Sequence, residues 1–367
     1  MRREFVCTLL ALTACAPDVS IGEERRLAIR TAVPTADGRW REGGDRTALT
    51  RPGDQIVPAA GWFGRSDANG ALPTLTSLAT TPSTVWSSTM LGTSWVIAGA
   101  SGDRGFVRAL DENDGTQWET PFGADGTTTV VRAIATTNVG ELAIAGTEQT
   151  GGGAVHGWVA LLDAGGSVKW TRHFDSDFQG TVSGFVPLAI AVDPGAPSPV
   201  RRQFWLTGTR TRASDVPAYA IQMTFDGDVW DSSPFAINGT GRGLATFDIG
   251  LAICVAIDGA VQLAWTQGGA VGGAALSEVR LDETFELATC LAGPGETVEL
   301  IGTLHRGLDR IPAVATVDRP TRTLQGVKEH PSAKNVTVLG GAHALDGTVT
   351  AYGQQLAPVR RWSGALR

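Results

Sequence analysis

One phrase recurs along this chain of 367 residues at intervals of about 30 to 60 residues, and it limits the fold more than any other feature. It reads GWVALLDAGGSVKW up to Trp170, FVRALDENDGTQW up to Trp118, YAIQMTFDGDVW up to Trp230, and GWFGRSDANGALPT from Gly61. Each copy is an alternating strand, an Asp and usually a Gly at a tight turn, then a second strand that in three of the four carries Trp. Period-two alternation broken by Asp-Gly or Gly-Gly chemistry is a hairpin signal. A hairpin unit repeated at this period buries its apolar face only by stacking on its neighbours, which points to the blades of a β-propeller.

The unit around Val130 gives the full pattern. Val131–Thr136 reads as an inner strand, Asn138–Gly140 as a turn and Glu141–Gly146 as a second strand. After a Gly-rich loop, Trp158–Leu162 reads as a third strand, Asp163–Gly166 as a turn and Ser167–His173 as a fourth. Second-strand copies are expected at Trp95–Gly99, Phe204–Gly208, Val298–Gly302 and Val349–Gly353, with a looser one at Val261–Thr266. Inner-strand copies are expected at Leu78–Thr81, Leu188–Ala191, Leu251–Cys254 and Leu287–Cys290. Asp37, Asp67, Asp111, Asp163, Asp226, Asp282 and Asp318 mark seven third turns, where Asp serves by capping the backbone.

The expectation is therefore an all-β chain forming a single β-propeller of seven four-stranded blades. Six is the runner-up, because the stretch from Gly43 to Thr74 has weak first strands. Both chain ends are expected to close the ring: the start supplies a third and fourth strand up to Trp40, and the end supplies first and second strands of the same blade. Trp40, Trp118, Trp170 and Trp230 follow the turns and are read as covers for the seams between blades, each burying about 150–250 Å².

The first 14 residues read as an address label. Arg2 and Arg3 precede an apolar run from Phe5 to Ala14, too short to span a bilayer. Leu12-Thr13-Ala14-Cys15 resembles the lipobox of bacterial lipoproteins, which implies lipidation of Cys15 as the first mature residue. Ala16 rather than Asp follows the cysteine, so the resemblance implies the outer membrane. The chain is thus divided into a signal (1–14), a lipidated tether (15–26) and the propeller (27–367). The alternative for the start is an ordinary cleaved signal with an incidental cysteine.

Composition narrows the partners. The formal net charge is −7, with 30 basic and 37 acidic residues, which argues against nucleic acid and against polybasic attachment to anionic lipid. Glycine is high at 47 residues, which suits many tight turns. Over roughly residues 27 to 353 the pattern resembles bacterial surface β-propeller repeat families of secreted proteins and lipoproteins. The matching residues are Ala145-Gly146-Thr147, Val159 to Asp163 and Trp170. The phrase Ala109-Leu110-Asp111, Gly115, Trp118 is also similar to the tryptophan-docking phrase of quinoprotein-like propellers, and the same phrase occurs in the propeller lipoprotein of the outer-membrane barrel-assembly machinery.

Chemistry is sparse in the sequence. His156, His173, His305, His330 and His343 show no His-x-x-x-His or Glu-x-x-His spacing, so no metal site is read from them. No Gly-x-Ser-x-Gly elbow occurs. Gly239–Gly243 is glycine-dense but lacks the strand-before, helix-after setting of a phosphate loop. Asp175–Gly180 opens like a calcium loop, yet Val186 stands where an EF-hand needs Glu; a solvated turn is the simpler reading, and no other cofactor is read.

Loops after second strands should open on the face that also carries the connections between blades. Asp103, Arg104, His156, Arg210, Arg212, His305 and Arg306 fall there, and their convergence on the central mouth would make a polar pocket. Cys254 and Cys290 are read as a disulfide between inner strands of consecutive blades; the competing reading is two buried apolar residues. The function expected is a binding or scaffolding module with an unknown protein or glycan partner. The alternatives are a propeller enzyme (quinone-dependent dehydrogenase or carbohydrate-active) and a subunit of an outer-membrane assembly complex.

Overall fold

A computed structural model describes residues 27–37, 39–46, 49–51, 55–57, 60–66, 74–78, 80, 82–175, 184–192, 203–210, 217–236, 239–248, 250–266, 275–281, 283–330, 332–356 and 359–366. They form seven antiparallel blades, six of four strands and one of three, around a ring. The first strands of the blades are Leu27–Pro34, Ser83–Leu91, Thr127–Thr136, Phe185–Val192, Thr240–Thr246, Thr284–Gly293 and Val336–His343. Each lies beside the first strand of the next blade, and the seventh lies beside the first, so these seven strands surround the axis.

The core is not one body of side chains but seven, one in each seam. Between blades 2 and 3, for instance, Val96, Ala98, Val107 and Ala109 meet Val131, Ile144, Trp158 and Leu162. Between blades 5 and 6, Trp265 and Leu263 meet Phe285 and Leu300. At the closing seam Tyr352 of blade 7 packs on Leu27, Ile29 and Trp62 of blade 1. Alternation explains this arrangement: a strand inside a blade has neighbours on both faces, so both sets of alternate residues can be apolar.

One irregularity repeats in every blade. The ladder between first and second strand slips by one residue in each, leaving Arg30, Trp86, Arg132, Leu188, Arg242, Ala288 and Leu339 as the bulged residues of the seven inner strands. In six blades a second-strand glycine faces the slip: Gly44, Gly99, Gly146, Gly208, Gly302 and Gly353. A Cβ at these six positions would lie 1.9–2.3 Å from an inner-strand carbonyl oxygen, so the bulge admits nothing larger than glycine. This is the physical content of the Ala-Gly phrase in the sequence. Blade 5 moves the relief to the inner strand itself, where Gly241 and Gly243 flank Arg242 and Val255 takes the usual glycine position.

The blade count and the strands of the Val130 unit agree with the sequence reading, while several registers do not. Residues 27–46 are the first and second strands of blade 1, not a third and fourth, and Asp37 sits at their first turn. The chain ends therefore meet across a seam between neighbouring blades instead of sharing a blade. The last blade has three described strands, Val336–His343, Val349–Leu356 and Val359–Leu366. Leu251–Ile257 is a second strand and Ala260–Trp265 a third, one place later than expected. The inner strand of blade 2 is Ser83–Leu91, and Leu78 instead plugs the seam before it. Adjacent strands within a blade carry near-identical apolar alternation, so the pattern does not reveal a shift by one whole strand. Between the second and third strands of blade 1 runs an extra hairpin, Leu49–Arg51 with Gln55–Val57.

Turns and seams use the residues singled out by the repeat. Asp111 Oδ1 accepts from the N–H of Asn113 (2.7 Å) and Gly115 (2.8 Å), and Asp163 Oδ1 accepts from Gly165 (2.9 Å) and Ser167 (2.8 Å). Trp118 of blade 2 lies on Gly166 of blade 3, and Trp170 of blade 3 lies on Gly227 of blade 4 while donating to Phe225 O at 2.7 Å. Trp40 packs on the closing seam, although from a second strand. Trp230 departs from the expectation: it is 67% exposed, so it does not cover a seam among the described residues. Asp67 and Asp282 lie outside the described residues.

Candidate functional site

The hairpins joining second to third strands share a face with the connections between blades, and ion pairs tie the two together. Arg104 on the hairpin of blade 2 pairs with Asp125 in the connection to blade 3 at 2.5 Å. His156 Nδ1 on blade 3 pairs with Asp175 in the connection to blade 4, and Asp175 also accepts from the Gly184 N–H at 2.9 Å. On blade 6, Arg306 forks onto Glu283 (2.6 and 3.0 Å) and onto Glu329 (2.8 and 3.2 Å). Those carboxylates hold the Arg306 guanidinium above its ordinary pKa, and its hydrogen bonds hold Glu283 below the usual carboxylate value. His305 Nε2 meets Glu286 at 3.2 Å, and Asp309 pairs with Lys334 at 2.7 Å.

The expected polar pocket at the central mouth thus takes another form. Asp103, Arg104, His156, Arg210, His305 and Arg306 do lie on second-to-third hairpins, on blades 2, 3, 4 and 6. The described partners of Arg104, His156, His305 and Arg306 lie on their own blade or in an adjoining connection, which distributes these groups around the rim. A charged side chain takes the nearest opposite charge, and the connections supply one for Arg104, His156 and Arg306. Arg212 lies outside the described residues, as do Cys15 and the Ser176–Gly180 part of the calcium-like run. No group of three or more metal-ligating side chains occurs among the described residues.

Two clefts open at equivalent seams. Between blades 2 and 3 a cleft of about 510 Å³ is lined by Phe122, Thr129, Glu148, Trp158, Thr171 and His173. Its floor is an aromatic stack, Phe122 on Trp158 with centroids 5.1 Å apart, and His173 Nδ1 faces Glu148 at 3.9 Å. Between blades 5 and 6 a smaller cleft of about 280 Å³ is lined by Arg280, Leu304, Arg306, Val327 and Glu329.

The sequence reading missed a second group, on the axis. Arg30 and Arg132 lie over the Trp86 ring, with guanidinium carbons 4.1 and 4.2 Å from its centroid. All three are bulged residues, on the inner strands of blades 1, 2 and 3, and bulges re-aim side chains out of the regular pleat. Arg30 has a counter-ion, Asp45, at 2.6 Å. Two signals in the sequence point to this group: an arginine in the middle of an apolar inner strand, as in Val131-Arg132-Ala133-Ile134, and the second-strand glycine that marks the bulge.

Comparison with known proteins establishes the fold. The structure is similar to the Dos1 propeller (TM-score 0.55, 10% identity, 90% of each chain covered). It is similar to Kuenenia stuttgartiensis hydrazine synthase (TM-score 0.59, 11% identity, 96% of this chain and 99% of that one). It is also similar to Chaetomium thermophilum Sqt1, solved bound to the N-terminus of the ribosomal protein L10 (TM-score 0.57, 13% identity, 93% of this chain and 97% of that one). No family model matches the chain, and no curated protein matches it in sequence. At these identities the likeness is one of fold, and propellers host binding and catalysis alike.

Proposed function

We propose that this protein is a binding or scaffolding propeller, held at the outer membrane by a lipid on Cys15 and without catalysis of its own. The observation that carries the reading is the set of ion pairs between hairpins and connections at Arg104, His156 and Arg306. They fix the loops of one face in place, and a preorganised face loses less entropy when a partner docks. The Leu12–Cys15 motif supports the anchor, and two or three acyl chains give lasting attachment where one does not. A protein or glycan partner suits a polar rim with one aromatic-floored cleft.

Two measurements test this reading. Photo-crosslinking residues at Arg104 and Arg306 should yield discrete adducts in intact cells, whereas one at Asn138, on the opposite face, should not. Equal labelling from both faces, or none from either, overturns the binding face. Cys15→Ala should release the protein from membrane fractions; retention in the membrane overturns the anchor.

A further inference from the structure

We propose that the axial cluster of Arg30, Trp86 and Arg132 is an anion site that takes one carboxylate or phosphate group, distinct from the hairpin face. The argument starts from charge. Asp45 compensates Arg30. No carboxylate pairs with Arg132 among the described residues, and its Nε is buried with no acceptor in hydrogen-bond reach. Burying a donor without an acceptor is costly, and more so when the group is charged. The Trp86 ring, its centroid 4.2 Å from the guanidinium carbon, returns only part of this.

Burial first, and the charge of Arg30 second, push the Arg132 guanidinium below its ordinary pKa, so the two cations feel one another. The cluster is left with one uncompensated positive charge inside a protein of net charge −7. The bulge itself recurs in every inner strand. Across the ring Arg242 occupies the bulge of blade 5, is exposed, and pairs with no carboxylate among the described residues. Guanidinium forks match planar carboxylate and tetrahedral phosphate better than halides, which sets the ligand class.

Titration calorimetry on the purified mature protein tests this, with acetate and inorganic phosphate as probes and chloride at matched ionic strength as control. Saturable binding of one equivalent of acetate or phosphate is expected, and whichever binds more tightly identifies the group. Arg132→Met should weaken binding at least tenfold without lowering the melting temperature in anion-free buffer; Arg108→Met, on the third strand of blade 2, should leave binding unchanged. If Arg132→Met does not fold, the Arg132 Nε–H resonance of the native protein carries the test, with a saturable shift on adding the anion as the expected result. Absence of saturable binding, unchanged affinity in a folded Arg132→Met, or an unmoved Nε–H resonance each overturns the proposal.

Discussion

A Cβ added to Gly146 would lie 2.1 Å from the carbonyl oxygen of Val130 and 2.7 Å from the Trp158 ring. Neither neighbour is the free end of a flexible side chain: one is backbone, the other an indole that is 2% exposed. Gly146→Ala should therefore destabilise by about 3 kcal/mol or more, at the upper end of what overpacking a core costs, because the bulge must open or blade 3 must shift. Denaturant unfolding measures it. Gly151→Ala, in a loop with nothing within 4 Å of the added methyl, is the control and should be near neutral. Equal effects at the two positions would remove the steric account of the repeat.

Cys254 on the second strand of blade 5 and Cys290 on the first strand of blade 6 are joined in a disulfide, with Cα atoms 6.4 Å apart. The pairing works because Gly243, opposite Cys254 in the ladder, leaves room where its own Cβ would stand 3.1 Å from the Cys290 sulfur. The closed loop of 36 residues should contribute about 3–4 kcal/mol through loop-closure entropy. Reduction, or Cys254→Ser with Cys290→Ser, should lower the melting temperature accordingly. Mass spectrometry of unreduced peptides from exported protein should find the linked pair; two free thiols there would refute it.

Tyr352 of blade 7 packs among Leu27, Ile29, Ala32 and Trp62 of blade 1, in the closing seam. Burial pushes its phenol up to about 12 from an ordinary value of 10. A pKa raised in the fold means the native state holds its proton where the unfolded chain has lost it. The contribution is thus fully present below pH 10 and is lost as pH rises through about 12, some 2–3 kcal/mol in all. Thermal melts across this window should fall steeply for the native protein and less steeply for Tyr352→Phe. Parallel curves would mean that alkaline unfolding starts elsewhere.

Deleting residues after Gly347 removes two of the three described strands of blade 7, together with Tyr352. The closing seam would lose Tyr352, and Leu27, Ile29 and Trp62 would be uncovered on the other side. A closed ring has no free edges, so the loss should spread through the whole body and appear as a lower, broader melting transition. An unchanged transition would show that the ring does not depend on this seam.

The sequence by itself favoured seven blades over six, a count that the pairing of the strands decided, and it determined the repeating unit and the turn chemistry. These are local matters: an Asp that caps its own turn at Asp111 or Asp163 acts within four residues, and strand alternation is read from neighbours in the chain. It also displayed the Ala-Gly phrase, whose cause lies across a ladder in the carbonyl that Gly146 must accommodate. Only the tertiary structure decided which strand is first. Leu251–Ile257 and Leu287–Cys290 carry like patterns but sit at different depths in their blades, because position within a blade depends on pairing partners far along the chain. The same holds for the site residues. Arg104 and Arg306 are spent on nearby carboxylates that only folding brings close, while Arg30, Trp86 and Arg132 meet from three separate blades because the ring sets their inner strands side by side.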